Sequence, residues 1–279
     1  MKLFEALKAQ ADILEKCGVE NAFFDAKQLL LHAFSITNEQ YTLIKNESCE
    51  QTRLDLFKEL CKRRQNREPL QYILGSWDFY GYNFYVDNGC LIPRQETEII
   101  VDKALSLQKK DCFFVDMCTG SGCIGISYAL GNKTAKGLLL DISNNALNIA
   151  KKNVDLHKLS QNLSVEKFDV FTDSLQGDVS LIMCNPPYID KNDMQNLEKE
   201  LSFEPQIALY GGEDGLDFYK FICKKHFHSL VSNGHIIFEV GYNQAHDVAE
   251  LLKNEGAKNI EILKDSFGVC RTVIAEKKD

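Results

Sequence analysis

Asn185-Pro186-Pro187-Tyr188 directly follows the apolar run Val179-Ser180-Leu181-Ile182-Met183-Cys184. A short apolar run reads as a buried strand, and two prolines stop it from continuing as strand or helix. These four residues therefore fall at a strand's carboxyl end, where open α/β sheets carry their chemistry. Pro186 pushes Asn185 toward an extended conformation, and neither proline has an N–H. The turn offers hydrogen-bond acceptors with few competing donors: the Asn185 side-chain carbonyl and the main-chain carbonyls, that of Pro186 among them. Such a turn suits an NH2 group. An amide nitrogen is a poor nucleophile because its lone pair is delocalised into the carbonyl. Acceptors that hold both of its hydrogens pull density back onto nitrogen, and positioning then supplies much of the rate. No general base is needed before transfer, in keeping with a loop that lacks His and Glu. Asn185, Pro186 and Tyr188 are the expected catalytic groups, with Tyr188 packed flat on a planar amide or base. Together with Pro187 they form the expected substrate contact.

A second constellation lies upstream. Val115-Asp116-Met117-Cys118-Thr119-Gly120-Ser121-Gly122-Cys123-Ile124-Gly125 follows the apolar Cys112-Phe113-Phe114 and precedes a helical run. Gly120 and Gly122 allow a tight strand-to-helix turn and close approach of a small ligand to the backbone. Gly120-x-Gly122-x-x-Gly125 also matches the dinucleotide fingerprint, and Asp141, at the end of the next apolar run, suits the ribose of either cofactor. Asp116 favours S-adenosylmethionine. An acid just before the loop repels a pyrophosphate, whereas an ammonium and a sulfonium welcome nearby acceptors. Asp141 is expected to take both ribose hydroxyls while also capping the helix that begins near Ser143. Asp169 is placed to accept from the adenine amino group, with Val170 or Phe171 against the ring.

The elements that must hold these residues can be read from periodicity. Leu3, Leu7, Ala11 and Leu14 keep a helical period, as do Phe23, Ala26, Leu30 and Ala33, and then Leu54, Phe57, Leu60 and Cys61. Residues 1–70 form an expected helical domain. Residues 71–96 turn to aromatic alternation about Gly81, a hairpin and connector. From 97 to 279 strands and helices alternate. Apolar strands end near Asp116, Asp141, Phe168, Asn185 and Glu239, with crossover helices over 143–157 and 216–231. That is the pattern of a doubly wound, mostly parallel Rossmann-like α/β sheet. Ile260–Leu263 and Val269–Ala275 are expected to pair antiparallel at one edge.

Composition narrows the classes. The chain has 279 residues, 44% hydrophobic and 26% charged, enough for two cored units. No apolar run approaches the roughly 20 residues of a membrane span, and the N-terminus has no signal-peptide core. A cytoplasmic protein without membrane attachment is expected, and a monomer, since no long exposed apolar edge is evident. Ten cysteines are scattered without a C-x-x-C pair, so reduced buried thiols are expected and no metal site. His226-x-His228, read as lying on a surface helix, lacks partner ligands. The net charge of −8 weighs against a nucleic-acid substrate. Lys62-Arg63-Arg64 and Arg67 form a basic cluster that reads as a solvated helix face or as a contact for an acidic or nucleic-acid partner.

Taken with their neighbours, these residues resemble a known family. Asn185-Pro186-Pro187-Tyr188 looks like the motif of amino-group methyltransferases. Glu68-Pro69-Leu70-Gln71-Tyr72-Ile73-Leu74-Gly75, Leu91-Ile92-Pro93-Arg94-x-Glu96-Thr97-Glu98, Glu204-Pro205 with Ala208-Leu209, Gly212–Asp217, and Glu239-Val240-Gly241 with Gln244 are similar to the HemK/PrmC family. Its members are peptide chain release factor glutamine N(5)-methyltransferases with a small helical N-terminal domain that helps hold the release factor. The resemblance implies that Cys118, Thr119, Gly120, Ser121, Gly122, Asp141 and Asn185 contact S-adenosylmethionine and that Val170 sits at the adenine. It also implies that the Asn185–Tyr188 loop holds the substrate glutamine of a Gly-Gly-Gln loop. The chain departs from the family pattern at Cys118 and Arg67, usually glycines, and at Gln95, usually proline. Three other readings use the same residues. A nucleic-acid adenine or cytosine amino methyltransferase would need a basic channel and a base-reading domain. An NAD-dependent oxidoreductase would rest on the glycine fingerprint. A non-catalytic release-factor or ribosome-binding module would lack the acceptor Asn.

Overall fold

Leu3, Leu7, Ala11 and Leu14 are all buried along α1 (Leu3–Lys16). The next helix, α2 (Ala22–Phe34), departs from its expected face. Phe23 is exposed, and the buried side carries Ala22, Asp25, Ala26, Leu29, Leu30 and Ala33. The cause is an ion pair: Asp25 meets Arg64 of α4 (Gln51–Gln65) at 2.7 Å with both side chains buried. Turning Asp25 inward leaves Phe23, two residues and roughly 200° away, on the outer side. Between them, α3 (Asn38–Ile44) starts with a Thr37/Gln40 capping box. α5 (Leu70–Leu74) buries Leu70, Tyr72 and Ile73 and packs on α2 and α4.

The structure, a computed structural model, describes residues 1–107 and 112–278. Its helical unit is Met1–Ser76 with the short segment Lys199–Phe203. The unit thus runs past the boundary at 70, because α5 belongs to its core. The segment 199–203 supplies Glu200, which pairs with Arg64 at 3.0 Å and Arg67 at 2.7 Å, while Arg63 donates to Glu68 at 2.9 Å. The basic cluster is therefore neither a solvated face nor a free contact surface. Its three arginines are engaged inside the unit, and Lys62 alone of the four is exposed.

The second unit is Trp77–Glu198 with Glu204–Asp279. It opens with a hairpin, β1 (Ser76–Phe79) and β2 (Tyr82–Tyr85), joined through Tyr80 and Gly81 at φ 52° and 74°. Two positive φ values in a row are what a two-residue type I′ turn requires. Phe79 and Phe84 enter the core, and Tyr80 is tied to α6 (Glu98–Ser106) by its N–H to Glu98 at 2.7 Å and its hydroxyl to Asp102 at 2.6 Å. All of the hairpin except Ser76 belongs to this unit.

Among the described residues, seven strands form one sheet in the order β5-β4-β3-β6-β7-β9-β8. The parallel strands are β3 (Phe113–Met117), β4 (Lys136–Asp141), β5 (Leu163–Lys167), β6 (Val179–Cys184) and β7 (Leu230–Glu239). β8 (Lys258–Lys264) and β9 (Cys270–Glu276) pair antiparallel as expected, but only β8 is at the edge. β9 lies between it and β7, with Thr272–Ala275 buried. Alternate side chains serve two cores. Phe114, Leu139, Leu181, Met183 and Ile237 meet α6, α7 (Cys123–Gly131) and α8 (Asn144–Leu156) on one face. Val115, Leu140, Ile182, Phe238 and Val273 meet α9 (Asp217–His226) and α10 (Ala245–Asn254) on the other. The strand order reverses between β3 and β6, so the glycine loop and Asn185 leave neighbouring strands at the topological switch point.

Candidate active site

Beyond β3 the chain turns into α7 through Cys118 and Gly120, both at φ 56°, and Gly122 at φ 84°. A side chain on Gly120 would meet nothing within 4 Å, because that position opens onto a cleft of about 810 Å³ including its solvent-filled mouth. Cys118, Gly120, Asp141, Asp169, Val170, Asn185 and Pro187 all line this cleft. Residues from four separate loops thus meet in one place.

Asp116 does not line the cleft. It is fully buried under the loop, where its Oδ2 accepts from the Thr119 hydroxyl at 2.6 Å and the Gly125 N–H at 3.0 Å. Thr119, Ser121 and Gly122 also stand outside the lining, and the Ser121 carbonyl accepts from Asn153 at 2.8 Å. These residues set the shape of the loop that Cys118 and Gly120 present.

Asp141 ends β4 and braces the same loop: Oδ2 accepts from the Gly120 N–H and Oδ1 from the Ser143 N–H, both at 2.9 Å. The Ser143 hydroxyl, not Asp141, caps α8 through Ala146 N at 3.3 Å. Each Asp141 oxygen keeps acceptor capacity for a diol. Farther along, Asp169 Oδ1 accepts the Phe171 N–H at 2.9 Å, and Phe168, Val170, Phe171 and Phe218 give an apolar slot for a planar ring. This donor and acceptor set fits S-adenosylmethionine: carboxylate for ribose, apolar slot for adenine, open glycine backbone for the rest. The slot is held from behind. Lys225 Nζ reaches Phe171 O and Thr172 O at 3.2 and 2.7 Å, and His226 Nε2 lies 2.9 Å from Val170 O. His226 is therefore buried rather than on a surface helix, and burial lowers its pKa. His228 meets Glu255 instead, at 2.9 Å.

The acceptor loop is gripped along its backbone. Gln244 Nε2 donates to Tyr188 O at 2.9 Å and Gly215 O at 3.2 Å, and its Oε1 accepts the Gly241 N–H at 2.9 Å. Ile189 exchanges backbone bonds with Leu209 and Gly211, each 2.9 Å. A Cβ on Gly215 would fall 2.4 Å from Tyr188 O, so only glycine lets that turn approach. Glu204 accepts from the Ile92 N–H at 3.0 Å and pairs with Arg94. Leu209, Gly211, Gly215, Gly241 and Gln244, which sequence could only enumerate as parts of separate segments, thus converge on one loop. Pro186 O accepts no hydrogen bond among the described residues and stays available. Tyr188 packs against the sheet core rather than lining the cleft, its hydroxyl 3.4 Å from Glu239 Oε1. Local pattern gave no signal for Lys225, His226 or the Arg94–Glu204 pair, since each contact joins segments far apart in the chain.

Two buried carboxyls give a pH signature. Burial pushes both Asp116 and Glu239 up to about 7. Each holds its proton more tightly folded than unfolded, so the stability it contributes is present at acid pH and lost as pH rises from about 4 to 7. Urea unfolding should show stability falling by on the order of 3 kcal/mol for each of the two carboxyls between pH 4.5 and 8. A flat or rising profile over that window would exclude it.

Cys118, where the resemblance led to an expectation of glycine, keeps the left-handed backbone, with its thiol in contact with that of Cys184. Cys118→Gly should relieve about 1 kcal/mol of backbone strain and raise the urea midpoint. An unchanged midpoint would show that the thiol contact offsets the strain. Arg67 is the instructive contrast. It occupies the position after the Asn66 cap of α4, where a left-handed glycine is common, and at φ 69° it keeps the Glu200 pair.

No helix among the described residues is long and apolar enough to cross a membrane, and no group of three or more His, Cys, Asp or Glu there could hold a metal ion. Residues 5–75 match the PrmC N-terminal domain and residues 97–206 the methyltransferase small domain. The chain is 35% identical to the release factor glutamine methyltransferase of Fusobacterium nucleatum, over 95% of this chain and 76% of that one. With the enzyme of the same name from Clostridium acetobutylicum the identity is 34%, over 99% of this chain and 98% of that one. A solved methyltransferase from Pyrococcus furiosus shares the fold, with a TM-score of 0.55 at 16% identity over 72% of this chain and 91% of that one. Similarity of this degree, over nearly the full length of this chain and three quarters or more of each relative, means that the chain belongs to the release factor glutamine methyltransferase family.

Proposed function

We propose that Asn185 and the Pro186 carbonyl hold the side-chain amide of the glutamine in the Gly-Gly-Gln loop of a peptide chain release factor. The family makes the chain an S-adenosylmethionine-dependent protein-glutamine methyltransferase. The observation that carries the residue roles is that Asn185 lines the same cleft as Gly120 and Asp141. One end of that cleft is built for a ribose and a ring, the other for an NH2 group. S-adenosylmethionine, when bound, supplies a methyl group on an electrophilic sulfonium.

The protein's part is positioning. Asp141 takes the ribose hydroxyls, Val170 and Phe171 face the adenine, and Asp169 accepts from its amino group. Asn185 Oδ1 and Pro186 O accept the two amide hydrogens, so the nitrogen lone pair is freed from the carbonyl and aimed along the cleft. The proton left on the methylated nitrogen is acidic and passes to water without a protein base. Pro187 closes the cleft wall, and Tyr188 anchors the loop against the core. The substrate is read as protein rather than nucleic acid: the net charge is −8 and Arg63, Arg64 and Arg67 are already paired.

Transfer of labelled methyl from S-adenosylmethionine tests this. A release factor should be labelled, while the same factor with its Gly-Gly-Gln glutamine changed to alanine, and single- or double-stranded DNA, should not. Equal labelling of the alanine variant would overturn the proposed substrate atom.

A further inference from the structure

We propose that Thr97 and Glu239 are positioning residues that fix which end of the Asn185 amide faces the substrate. The inference rests on the role given to Asn185 above. An asparagine amide has an acceptor end and a donor end, and only the acceptor end can hold an NH2 group. Nothing in the side chain itself chooses between them, so the choice falls to whatever meets its inner end.

That neighbour is Thr97, whose Oγ1 lies 3.4 Å from Asn185 Nδ2. A hydroxyl has one proton to give. With Glu239 ionised, Thr97 gives it to Glu239 Oε2 at 2.5 Å, inside a site where Thr97 and Glu239 are 2% and 3% exposed. Toward Asn185 it can then only accept. The Asn185 NH2 must be the group that points inward, and Oδ1 is left for the cleft. The reverse orientation would set two acceptors against each other in a buried site and leave a hydrogen bond unmade there.

Glu239 is itself held by independent contacts. Its Oε1 faces the Tyr188 hydroxyl at 3.4 Å, and its main-chain carbonyl accepts from the buried Tyr219 hydroxyl at 2.8 Å. Thr97 opens α6 and Glu239 closes β7, so the chain from Asn185 through Thr97 and Glu239 to Tyr188 spans three elements and returns to the acceptor loop. One carboxylate thereby ties both ends of that loop.

Thr97→Val removes the hydroxyl at constant shape, and Thr97→Ser keeps it. With a release factor as substrate, Thr97→Val should lower kcat by about 10–100-fold, the scale of a misplaced reacting group. Its Kd for S-adenosylmethionine, by calorimetry, should stay close to that of the parent, and Thr97→Ser should recover most of the turnover. Thr97→Ala, read in the same way, serves if the valine variant does not fold. Parental kcat in both hydroxyl-free variants would overturn the proposal, as would a loss in Thr97→Ser as deep as in Thr97→Val, which would assign the effect to shape. Asn185→Ala, run alongside, separates the two levels. Near-normal turnover there would remove the underlying reading, whereas its loss beside a fully active Thr97→Val would remove only the clamp.

Discussion

Asn185→Ala should lower kcat by about 10²–10³-fold while the Kd for S-adenosylmethionine changes only a few-fold, as expected when a preorganised polar contact to the reacting group is lost. The Asn185 side-chain oxygen is one of two acceptors proposed for the amide hydrogens. Without it one N–H is left to water or to nothing, and the lone pair stays in conjugation. The surrounding loop should survive the change. Its backbone is gripped by Gln244, Leu209 and Gly211, and among the described residues the sole polar contact of the Asn185 side chain is the 3.4 Å approach to Thr97. Single-turnover kinetics with a release factor, paired with calorimetry of the cofactor, separate the two quantities. A variant that binds the cofactor normally and turns over at the parental rate would show that the amide is held elsewhere.

Asp141→Asn should have the opposite signature, weakening S-adenosylmethionine by about 10²–10³-fold, the scale of two charge-assisted hydrogen bonds of roughly 1.5–3 kcal/mol each, not fully additive. Asparagine keeps the size and one acceptor of the carboxylate, but its NH2 cannot accept from a hydroxyl and meets a backbone N–H instead. Both Asp141 oxygens already take a backbone N–H, from Gly120 and Ser143. Part of the loss should therefore appear as a lower unfolding midpoint without ligand. At saturating cofactor kcat should be close to normal, because Asp141 is remote from the amide. Parental affinity in this variant would reduce Asp141 to a brace for the glycine loop.

How far the sequence predicted this arrangement depends on the range of the interaction. Turn chemistry is local. The glycine loop after β3, Asp141 at the end of β4 and the two prolines after β6 could be placed from a few consecutive residues, and Cys118, Gly120, Asp141 and Pro187 from among them line one cleft. Helical periodicity is nearly as local, and it placed α1 and α4 with their buried faces. It failed at Phe23, because the rotation of α2 is set by an ion pair to Arg64, 39 residues away. The basic cluster was misread for the same reason, since Glu200 lies 136 residues from Arg64 in the chain. Asp116 shows a further limit: its charge could be read from the sequence, but not its direction. Its carboxylate points into the loop's own N–H and hydroxyl donors rather than into the cleft. Thr97 and Glu239 stood inside segments singled out by resemblance, yet their pairing across 142 residues comes only when α6 packs beside the end of β7.

The central claim is that this chain places a methyl group on the side-chain nitrogen of one glutamine. Tandem mass spectrometry of a cognate release factor, after incubation with the enzyme and S-adenosylmethionine, tests it most directly. The account predicts a single added methyl on the Gly-Gly-Gln glutamine, absent when Asn185→Ala replaces the parent enzyme. A methyl group on any other residue, or none while calorimetry shows the cofactor bound, would contradict it.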